Sequence, residues 1–261
     1  MNRPKLKVVV PTYNAERWIA RCLRSIATQS FKNFECLVID DASTDDTFNV
    51  LNGLNFLDDR FVVMRNPENL GPLANTWGGF ERLGCRRDPE VVLTLVDGDD
   101  HLARIDAFDI IARAYAADPS LLMTYGNYVN DDDRSRGRCE AFPADVVAKR
   151  DFRKYRCVVQ HLRTCKAKLW NGIKKEDLCY QGTDEFFLAG GDVAYLMPLL
   201  DMAGPRYKFV TDILYVYNTN NPLSDCKIRG NEQVNVDDLV RGKPMYPLLE
   251  QMTKQSIGAK R

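Results

Sequence analysis

The chain has 261 residues, of which 45% are hydrophobic and 28% are charged. This composition supplies a sizeable buried core and excludes a disordered chain, which fits one large α/β domain. Lysine plus arginine and aspartate plus glutamate each number 36, so no overall field favours nucleic acid as a partner. No apolar run approaches the roughly 20 residues of a transmembrane helix. We therefore expect a cytoplasmic protein, or one held peripherally at a membrane.

Short β-branched runs alternate with amphipathic stretches from about residue 6 to residue 130. This alternation is typical of a mostly parallel sheet flanked by helices. The predicted strands are residues 6–10, 36–39, 61–64, 91–96 and 121–128. The predicted helices are residues 15–29, a segment that Ser43 or Thr44 caps with Asp45 and Asp46 in its first turn, residues 72–83 and residues 104–117. The predicted fold class is therefore α/β.

The pattern becomes less regular beyond residue 131. The predicted features are an acidic turn at 131–133, a basic stretch over 149–175, helices near 161–170 and 192–202, β-rich runs at 208–210 and 213–217, a polar loop over 218–225 and a short helix over 246–255. We find no internal repeat and no low-complexity linker, so both halves belong to one domain.

The eight cysteines are scattered along the chain without a CxxC pair. Several fall where apolar core residues would lie, which predicts reduced thiols and disfavours a structural zinc site. They are Cys22, Cys36, Cys85, Cys139, Cys157, Cys165, Cys179 and Cys226.

Polar residues follow three of the predicted strands, at 11–14, 40–45 and 97–100. Ligands of open α/β sheets bind beyond the carboxyl ends of strands, so these turns predict one shared crevice. None of them has the GxGxxG spacing or the P-loop lysine that cradles phosphates. The aspartates of residues 97–100 offer another way, because carboxylates hold a Mg²⁺ or Mn²⁺ ion that bridges phosphate oxygens. An ordinary turn or helix cap is the alternative for any single aspartate.

The segment VVVPTYNAERWIARCLRSIATQSFKNFECLVIDDASTDDT at residues 8–47, followed by LTLVDGDDHL at residues 93–102, resembles family 2 glycosyltransferases. The resemblance covers roughly the first half of the chain and implies the GT-A fold, with a Rossmann-like, mostly parallel sheet and a less regular acceptor-side half. Residues 1–130 would form the nucleotide-sugar-binding half, and residues 131–261 would bind the acceptor and supply the catalytic base.

The resemblance also implies the reaction and its partners. It implies an inverting transfer of a sugar from a UDP-, GDP- or dTDP-sugar donor to a hydroxyl group of a glycan, glycoprotein or lipid-linked acceptor. It implies Mn²⁺ or Mg²⁺ as the cofactor. Residue types alone leave retaining chemistry open.

Carried over to this sequence, the resemblance implies that Thr12 and Asp41 contact the nucleoside and that Asp97 and Asp99 form the DxD pair. The nucleotide-binding residues that it implies are Pro11, Thr12, Tyr13, Asn14, Asp41, Asn69, Asp97 and Gly98. The implied metal ligands are Asp97, Asp99 and Asp100. The Arg-Asn pair that usually follows the turn at residues 69–72 is replaced here by Thr76 and Trp77.

An inverting transfer needs a carboxylate that removes the proton of the acceptor hydroxyl. Asp192 follows Gly190 and Gly191 at the start of a predicted helix, and it is the candidate base. A simple helix N-cap is the alternative for Asp192, and Asp184 and Glu185 are the reserve candidates.

Three further features carry weaker signals. His161 lies beside an apolar stripe, which favours a core histidine, although a role at the metal or acceptor stays open. The ten lysines and arginines between 149 and 175 place a cation against the diphosphate or form a solvated basic face. Residues 215–218, with Asn221, Pro222 and Lys227, resemble a loop that folds over the donor, although turn chemistry also explains them.

Two other functions compete with glycosyl transfer. A sugar-1-phosphate nucleotidyltransferase would need a loop rich in glycine and arginine after the first strand, which residues 11–14 do not supply. A non-catalytic module that binds a nucleotide-sugar or a glycan could share the fold. The presence of Asp97, Asp99 and Asp192 together argues against that module.

Overall fold

One sheet with helices on both faces organises the computed structural model, which describes residues 3–156 and 158–252. The strands are β1 (Leu6–Thr12), β2 (Phe34–Asp40), β3 (Phe61–Arg65), β4 (Val92–Leu95), β5 (His101–Leu102), β6 (Met123–Asn130), β7 (Gln160–Lys166) and β8 (Tyr207–Tyr217). The helices are α1 (Ile19–Ala27), α2 (Thr47–Asn52), α3 (Pro72–Arg82), α4 (Ala107–Ala117), α5 (Ala144–Lys149), α6 (Ala167–Trp170), α7 (Gly191–Ala203), α8 (Asp225–Ile228) and α9 (Gly230–Gly242). Two 3-10 turns cover Asp151–Arg153 and Lys175–Leu178.

The sheet has the strand order β3-β2-β1-β4-β7-β6-β8-β5. The first four strands of this order are mutually parallel, and β8 is parallel to β6. Strands β7 and β5 run against their neighbours. The prediction of an α/β fold with a mostly parallel sheet is therefore confirmed, with two reversed strands added.

The central strands are buried on both faces, which explains their nearly continuous apolar sequence. In β1, Val8 packs with α1 and α4, whereas Val9 on the opposite face packs with α3 and α7. Helix α1 turns an apolar stripe toward this core, and each of its members is fully buried. These residues are Ile19, Cys22, Leu23 and Ile26.

Helix boundaries in the first half differ from prediction where a local turn precedes the helix. Helix α1 begins at Ile19 rather than at residue 15, after a turn in which Trp18 donates its N–H to the carbonyl of Ala15. Helix α2 begins at Thr47, whose N–H donates to the Asp45 carboxylate, so the predicted cap at residues 43–44 is wrong. Helix α3 begins with Pro72 at its first position, as predicted.

The predicted helix at 161–170 is wrong, because residues 160–166 form β7 and only α6 is helical. Strand β7 lies between β4 and β6, and burial on both faces produced the apolar stripe that we interpreted as helical. Helix α7 is confirmed at Gly191–Ala203, whereas the two predicted β-runs form the single strand β8.

The C-terminal region contains helix α9, which sequence analysis missed. Its apolar residues are few, and it is anchored in the core by Val236 and Val240. The predicted helix at 246–255 is helical over residues 249–252, and residues 253–255 lie outside the described part of the chain.

Six of the eight cysteines are described with their side chains, and all six are buried free thiols. The prediction of reduced thiols is confirmed for them, while Cys157 and the side chain of Cys226 lie outside what the structure describes. Within residues 3–156 and 158–252, no helix combines the length and apolar character needed to cross a bilayer.

Candidate active site

A cavity of about 360 Å³ lies beyond the carboxyl ends of β1, β2 and β4. Thr12 ends β1, Asp41 directly follows β2 and Asp97 lies two residues after β4, and all three line the cavity. The second half of the chain closes the cavity with residues of β7, of α7 and of the segment 217–233. The crevice predicted from three polar strand ends is therefore a single cavity in the structure.

Thr12 and Gly98 bring two strand ends into contact. A Cβ atom on Gly98 would lie 2.5 Å from the Thr12 hydroxyl and 3.0 Å from the Pro11 carbonyl, so only glycine fits there. The Gly98 N–H donates to that carbonyl at 3.1 Å. The Thr12 hydroxyl is buried and has no hydrogen-bond partner among the described residues. It therefore offers a free polar atom at the cavity wall.

Asp41 shapes the cavity by holding the loop at residues 69–71. Its Oδ1 accepts hydrogen bonds from Asn66 Nδ2 at 2.8 Å and from the Leu70 N–H at 2.9 Å, and its Oδ2 accepts the Gly71 N–H at 2.8 Å. Gly71 has φ +85°, a conformation that glycine adopts without strain. Because a carboxylate has about four acceptor positions, Oδ2 retains capacity for one more N–H.

The other residues assigned to the nucleotide divide into two groups. Pro11, Tyr13 and Asn69 line the cavity, and Tyr13 is 41% exposed there. Asn14 does not line it, because its side-chain oxygen accepts the N–H groups of Thr44 and Asp45. Asn14 thus ties the turn after β1 to the turn after β2.

The two residues that replace the family's Arg-Asn pair have different positions. Thr76 lines the cavity, and its hydroxyl donates to the Pro72 carbonyl. Trp77 packs against the rings of Trp170 and Phe186, with ring centroids 5.8 and 6.3 Å away.

Asp97, Asp100 and His161 form a group suited to a divalent cation. Each offers one ligand atom, and these atoms lie within 4.8 Å of one another. Asp100 is 1% exposed, and its Oδ1 accepts the Asn218 N–H at 2.7 Å. Its Oδ2 is buried with no hydrogen-bond partner among the described residues. A buried carboxylate oxygen without a donor is costly, so this oxygen set fits a bound cation.

Asp99 lines the same cavity but does not join this group. Its Oδ2 accepts a hydrogen bond from Asn221 Nδ2 at 2.7 Å. Asp99 thereby links the turn at residues 97–100 to the loop after β8.

Burial controls the ionisation of the group. Burial raises the pKa of Asp97 to about 6, Arg163 opposes the rise, and Asp99 adds to it. Burial also raises the pKa values of Asp99 and Asp100. Burial lowers the pKa of His161 well below its usual value, and Arg163 lowers it further. The imidazole is therefore neutral, which is the form that binds metals.

The antiparallel register of β7 explains why His161 belongs to this site. Thr94 of β4 pairs with Thr164 of β7, and continuing that register past β4 brings His161 beside Asp97. His161 and Arg163 then project from the same face, because side chains alternate along a strand. The His161 ring also stacks on Tyr215 with centroids 4.3 Å apart. It is thus both a packed core residue and a candidate ligand.

Asp192 lies opposite this group, as the second residue of α7. Its carboxylate lines the cavity with 30% of the side chain exposed, and its Oδ2 lies 3.2 Å from Arg163 Nη1. The N-cap residue is Gly190, so capping does not explain Asp192. The reserve candidates lie elsewhere: Asp184 is 99% exposed and pairs with Lys175, and neither it nor Glu185 lines the cavity.

Arg163 is the member of the basic stretch that enters the cavity, and sequence analysis did not single it out. Its side chain is 8% exposed. Other members of the basic stretch form ion pairs with different residues: Arg153 pairs with buried Asp201, and Lys168 pairs with Glu90. The apolar Leu162 between the polar His161 and Arg163 was the available signal for a strand with His161 and Arg163 on one face.

The segment after β8 forms part of the cavity wall. Lys227 Nζ donates to the carbonyls of Thr219 and Asn221 at 2.7 and 3.0 Å and so fixes the shape of the loop. The residues of this segment that line the cavity are Asn221, Leu223, Ser224, Asp225, Ile228 and Arg229. Burial raises the pKa of Asp225 to about 6, and Arg229 opposes that rise. Sequence analysis missed Asp225 and Arg229 as cavity residues.

Curated relatives match parts of the chain. An uncharacterised glycosyltransferase of Haemophilus influenzae is 31% identical over 130 residues, which are 49% of this chain and 48% of that protein. The GalNAc(5)-diNAcBac-PP-undecaprenol beta-1,3-glucosyltransferase of Campylobacter jejuni is 36% identical over 100 residues, which are 38% of this chain and 31% of that protein. The chain thus spans about half or less of the length of these relatives.

Solved structures match nearly the whole chain. TarS of S. aureus in complex with UDP-GlcNAc has a TM-score of 0.62 at 18% identity, covering 90% of this chain and 65% of that one. The mannosyltransferase PcManGT from Pyrobaculum calidifontis, in complex with GDP-Man and Mn²⁺, has a TM-score of 0.58 at 19% identity, covering 94% and 67%. These likenesses show the GT-A fold. The sequence profile of glycosyl transferase family 2 matches residues 7–191, and the chain therefore belongs to that family.

Proposed function

We propose that this chain transfers one sugar from a nucleoside-diphosphate donor to an acceptor hydroxyl, with inversion at the anomeric carbon. The observation that carries the proposal is the convergence of three strand ends, a carboxylate–imidazole group and Asp192 on one cavity. Residues 1–130 would bind the nucleotide-sugar, and residues 131–261 would bind the acceptor and supply the base. Both contribute to the cavity, and His161, Arg163 and Asp192 come from the second half.

The donor nucleoside would lie against Thr12, Asp41 and Asn69, with Pro11 and Tyr13 completing that end of the cavity. The unpartnered Thr12 hydroxyl and the remaining acceptor position of Asp41 supply hydrogen bonds for a base or ribose. The structural neighbours bind UDP-GlcNAc and GDP-Man, which supports the nucleotide-sugar class. UDP-, GDP- and dTDP-sugars are the donors to test.

Asp97, Asp100 and His161 would hold the divalent cation, with Mn²⁺ as the first candidate and Mg²⁺ as the second. The two carboxylates suit either ion, and the structure of PcManGT, which contains Mn²⁺, supports this order. When bound, the ion neutralises charge on the departing diphosphate. Asp99, implied as a ligand by the family resemblance, would instead position the turn at 97–100 through its hydrogen bond to Asn221.

Asp192 would act as the general base. Its carboxylate accepts the proton of the acceptor hydroxyl while that oxygen forms a bond to the anomeric carbon. The bond from that carbon to the diphosphate oxygen breaks on the opposite face, which inverts the configuration. Arg163 places a fixed positive charge beside this carboxylate.

A donor panel tests the proposal in two steps. The unfolding temperature is measured with UDP-, GDP- and dTDP-sugars, each with and without Mn²⁺, because a true donor stabilises the native state by mass action. The stabilising donor is then incubated with candidate acceptors, and NMR determines the anomeric configuration of the product. Donor binding without transfer to any acceptor would favour the non-catalytic module, and retained configuration would overturn the inverting mechanism.

A further inference from the structure

We propose that Arg163 is a positioning residue that holds the carboxylate of Asp192 in the orientation required to accept the acceptor's proton. The inference rests on the proposed glycosyl transfer with Asp192 as base. In this role Arg163 orients the base, Asp192, and does not bind the donor.

The Arg163 guanidinium is held by neighbours on two different elements. From α7, Asp192 Oδ2 lies 3.2 Å from Nη1, and the ring centroid of Tyr195 lies 5.8 Å from Cζ. From β7 itself, the ring nitrogens of His161 lie 3.3 Å from Nη2. The side chain is 8% exposed and rises from an internal strand of the sheet. A planar guanidinium fixed in this way is a rigid reference point for a carboxylate.

The orientation of the Asp192 carboxylate depends on its contact with Arg163. The other described hydrogen bond of its carboxylate comes from the adjacent Val193 N–H to Oδ1, and 30% of its side chain is exposed. A partly exposed aspartate with one local hydrogen bond has several accessible rotamers. The contact with Arg163 selects one of them, and misplacement of a reacting group by about 1 Å can cost about 100-fold in rate.

The charge of Arg163 serves the same arrangement. The guanidinium lies close enough to Asp97 and Asp192 to interact electrostatically with both. Without it, the carboxylates of Asp97 and Asp192 would lack their shared cation. Arg163→Lys keeps this charge but loses the planar fork, whereas Arg163→Gln loses the charge. The two variants therefore separate the contribution of the charge from that of the planar geometry.

Steady-state kinetics, with calorimetric titration of donor in the presence of Mn²⁺, test the inference on wild type, Arg163→Lys, Arg163→Gln, Asp192→Asn and the Arg163→Gln/Asp192→Asn double variant. We expect Arg163→Gln to lower kcat by at least about 100-fold, while donor Kd changes by less than about threefold. The kcat of Arg163→Lys should lie between those of the wild type and Arg163→Gln. The double variant should be no slower than Asp192→Asn within about twofold, because Arg163 acts through Asp192.

Arg153→Gln is the control for loss of a buried arginine. Arg153 pairs with the buried Asp201 at 2.7 Å and does not line the cavity. The Arg153→Gln substitution should lower the unfolding temperature and leave kcat of the folded protein unchanged within about twofold.

Two results would overturn the inference. A donor Kd weakened more than about tenfold by Arg163→Gln with kcat retained would make Arg163 a ligand of the donor. Additive losses in the double variant would show that Arg163 acts independently of Asp192. Absence of transfer by the wild-type protein would instead remove the proposed function, and the inference would fall with it.

Discussion

Asp41 Oδ2 accepts the backbone N–H of Gly71 at 2.8 Å, so a residue at the end of β2 sets the position of the loop that leads into α3. Oδ1 holds the neighbouring Leu70 N–H at 2.9 Å. The two N–H groups are consecutive in the chain and converge on one carboxylate. This end of the cavity is thus shaped by a single buried acid.

Asp41→Asn should disrupt this loop, because an amide presents an NH₂ group to one of the two backbone donors. We expect the free energy of unfolding to fall by about 1–3 kcal/mol and donor Kd to rise at least about tenfold. Denaturant titration and calorimetry measure the two effects. Asp46→Asn is the control, since Asp46 is exposed and bonds to Asn49 on the surface. Unchanged donor affinity in Asp41→Asn would contradict the assignment of this loop to the nucleotide.

Asp192→Asn should abolish transfer with little effect on donor binding, because the amide keeps the shape of the side chain but cannot take a proton. We expect the rate to fall by about 100-fold to 10,000-fold and donor Kd to stay within about twofold. A coupled assay for released nucleoside diphosphate measures the rate. Asp184→Asn, at a residue 99% exposed, should behave as wild type. Wild-type turnover in Asp192→Asn would show that another group is the base.

Asp100→Asn and His161→Ala should each weaken Mn²⁺ binding by at least about tenfold, because each removes a ligand atom from the three-residue group. Electron paramagnetic resonance of free Mn²⁺, in the presence of nucleoside diphosphate, measures the binding. Asp99→Asn should have a smaller effect, because its carboxylate bonds to Asn221 and lies outside the group. An equal loss in Asp99→Asn would place Asp99 among the ligands and support the DxD pair implied by the family resemblance.

Gly98→Ala and Gly78→Ala should have opposite effects on stability. An added Cβ at Gly98 would lie 2.5 Å from the Thr12 hydroxyl, so we expect a loss of about 1–3 kcal/mol together with weaker donor binding. A Cβ at Gly78, inside α3, meets no atom within 4 Å, so alanine there should stabilise the fold by about 0.5–1 kcal/mol. Thermal and denaturant unfolding measure the change in stability of both variants. A stable Gly98→Ala protein with full donor affinity would contradict the close contact of β1 and β4.

The side of the cavity that the strand ends form could be predicted from sequence, because its residues are fixed by local rules. Thr12, Asp41 and Asp97 each lie at the end of an apolar strand or directly after it, and parallel strands bring such ends to one edge of a sheet. The elements in between were predicted to within a few residues. Local patterning was enough here, because each strand and its following turn are contiguous in the chain.

On the opposite side Asp192 was singled out from sequence, but the placement of His161 and Arg163 could not be predicted, because it depends on pairing between distant segments. Strand β7 enters the sheet in reverse between β4 and β6, and that insertion is what brings His161 and Arg163 beside Asp97. Nothing within residues 160–166 specifies these partners, and burial on both faces obscured the strand pattern. Asp225 was missed for a similar reason, since it reaches the cavity through a loop whose course is set by contacts with Asp99 and Asp100.

The segment between β8 and α9 is fastened to the body of the protein at both ends. Asn218 bonds to Asp100 at the first end, and at the second Val236 and Val240 are buried against α7, with Arg153 donating to the Val240 carbonyl. Exchange of residues 222–229 for the equivalent segment of another family 2 member should therefore leave these two anchors in place, and with them the sheet and α9.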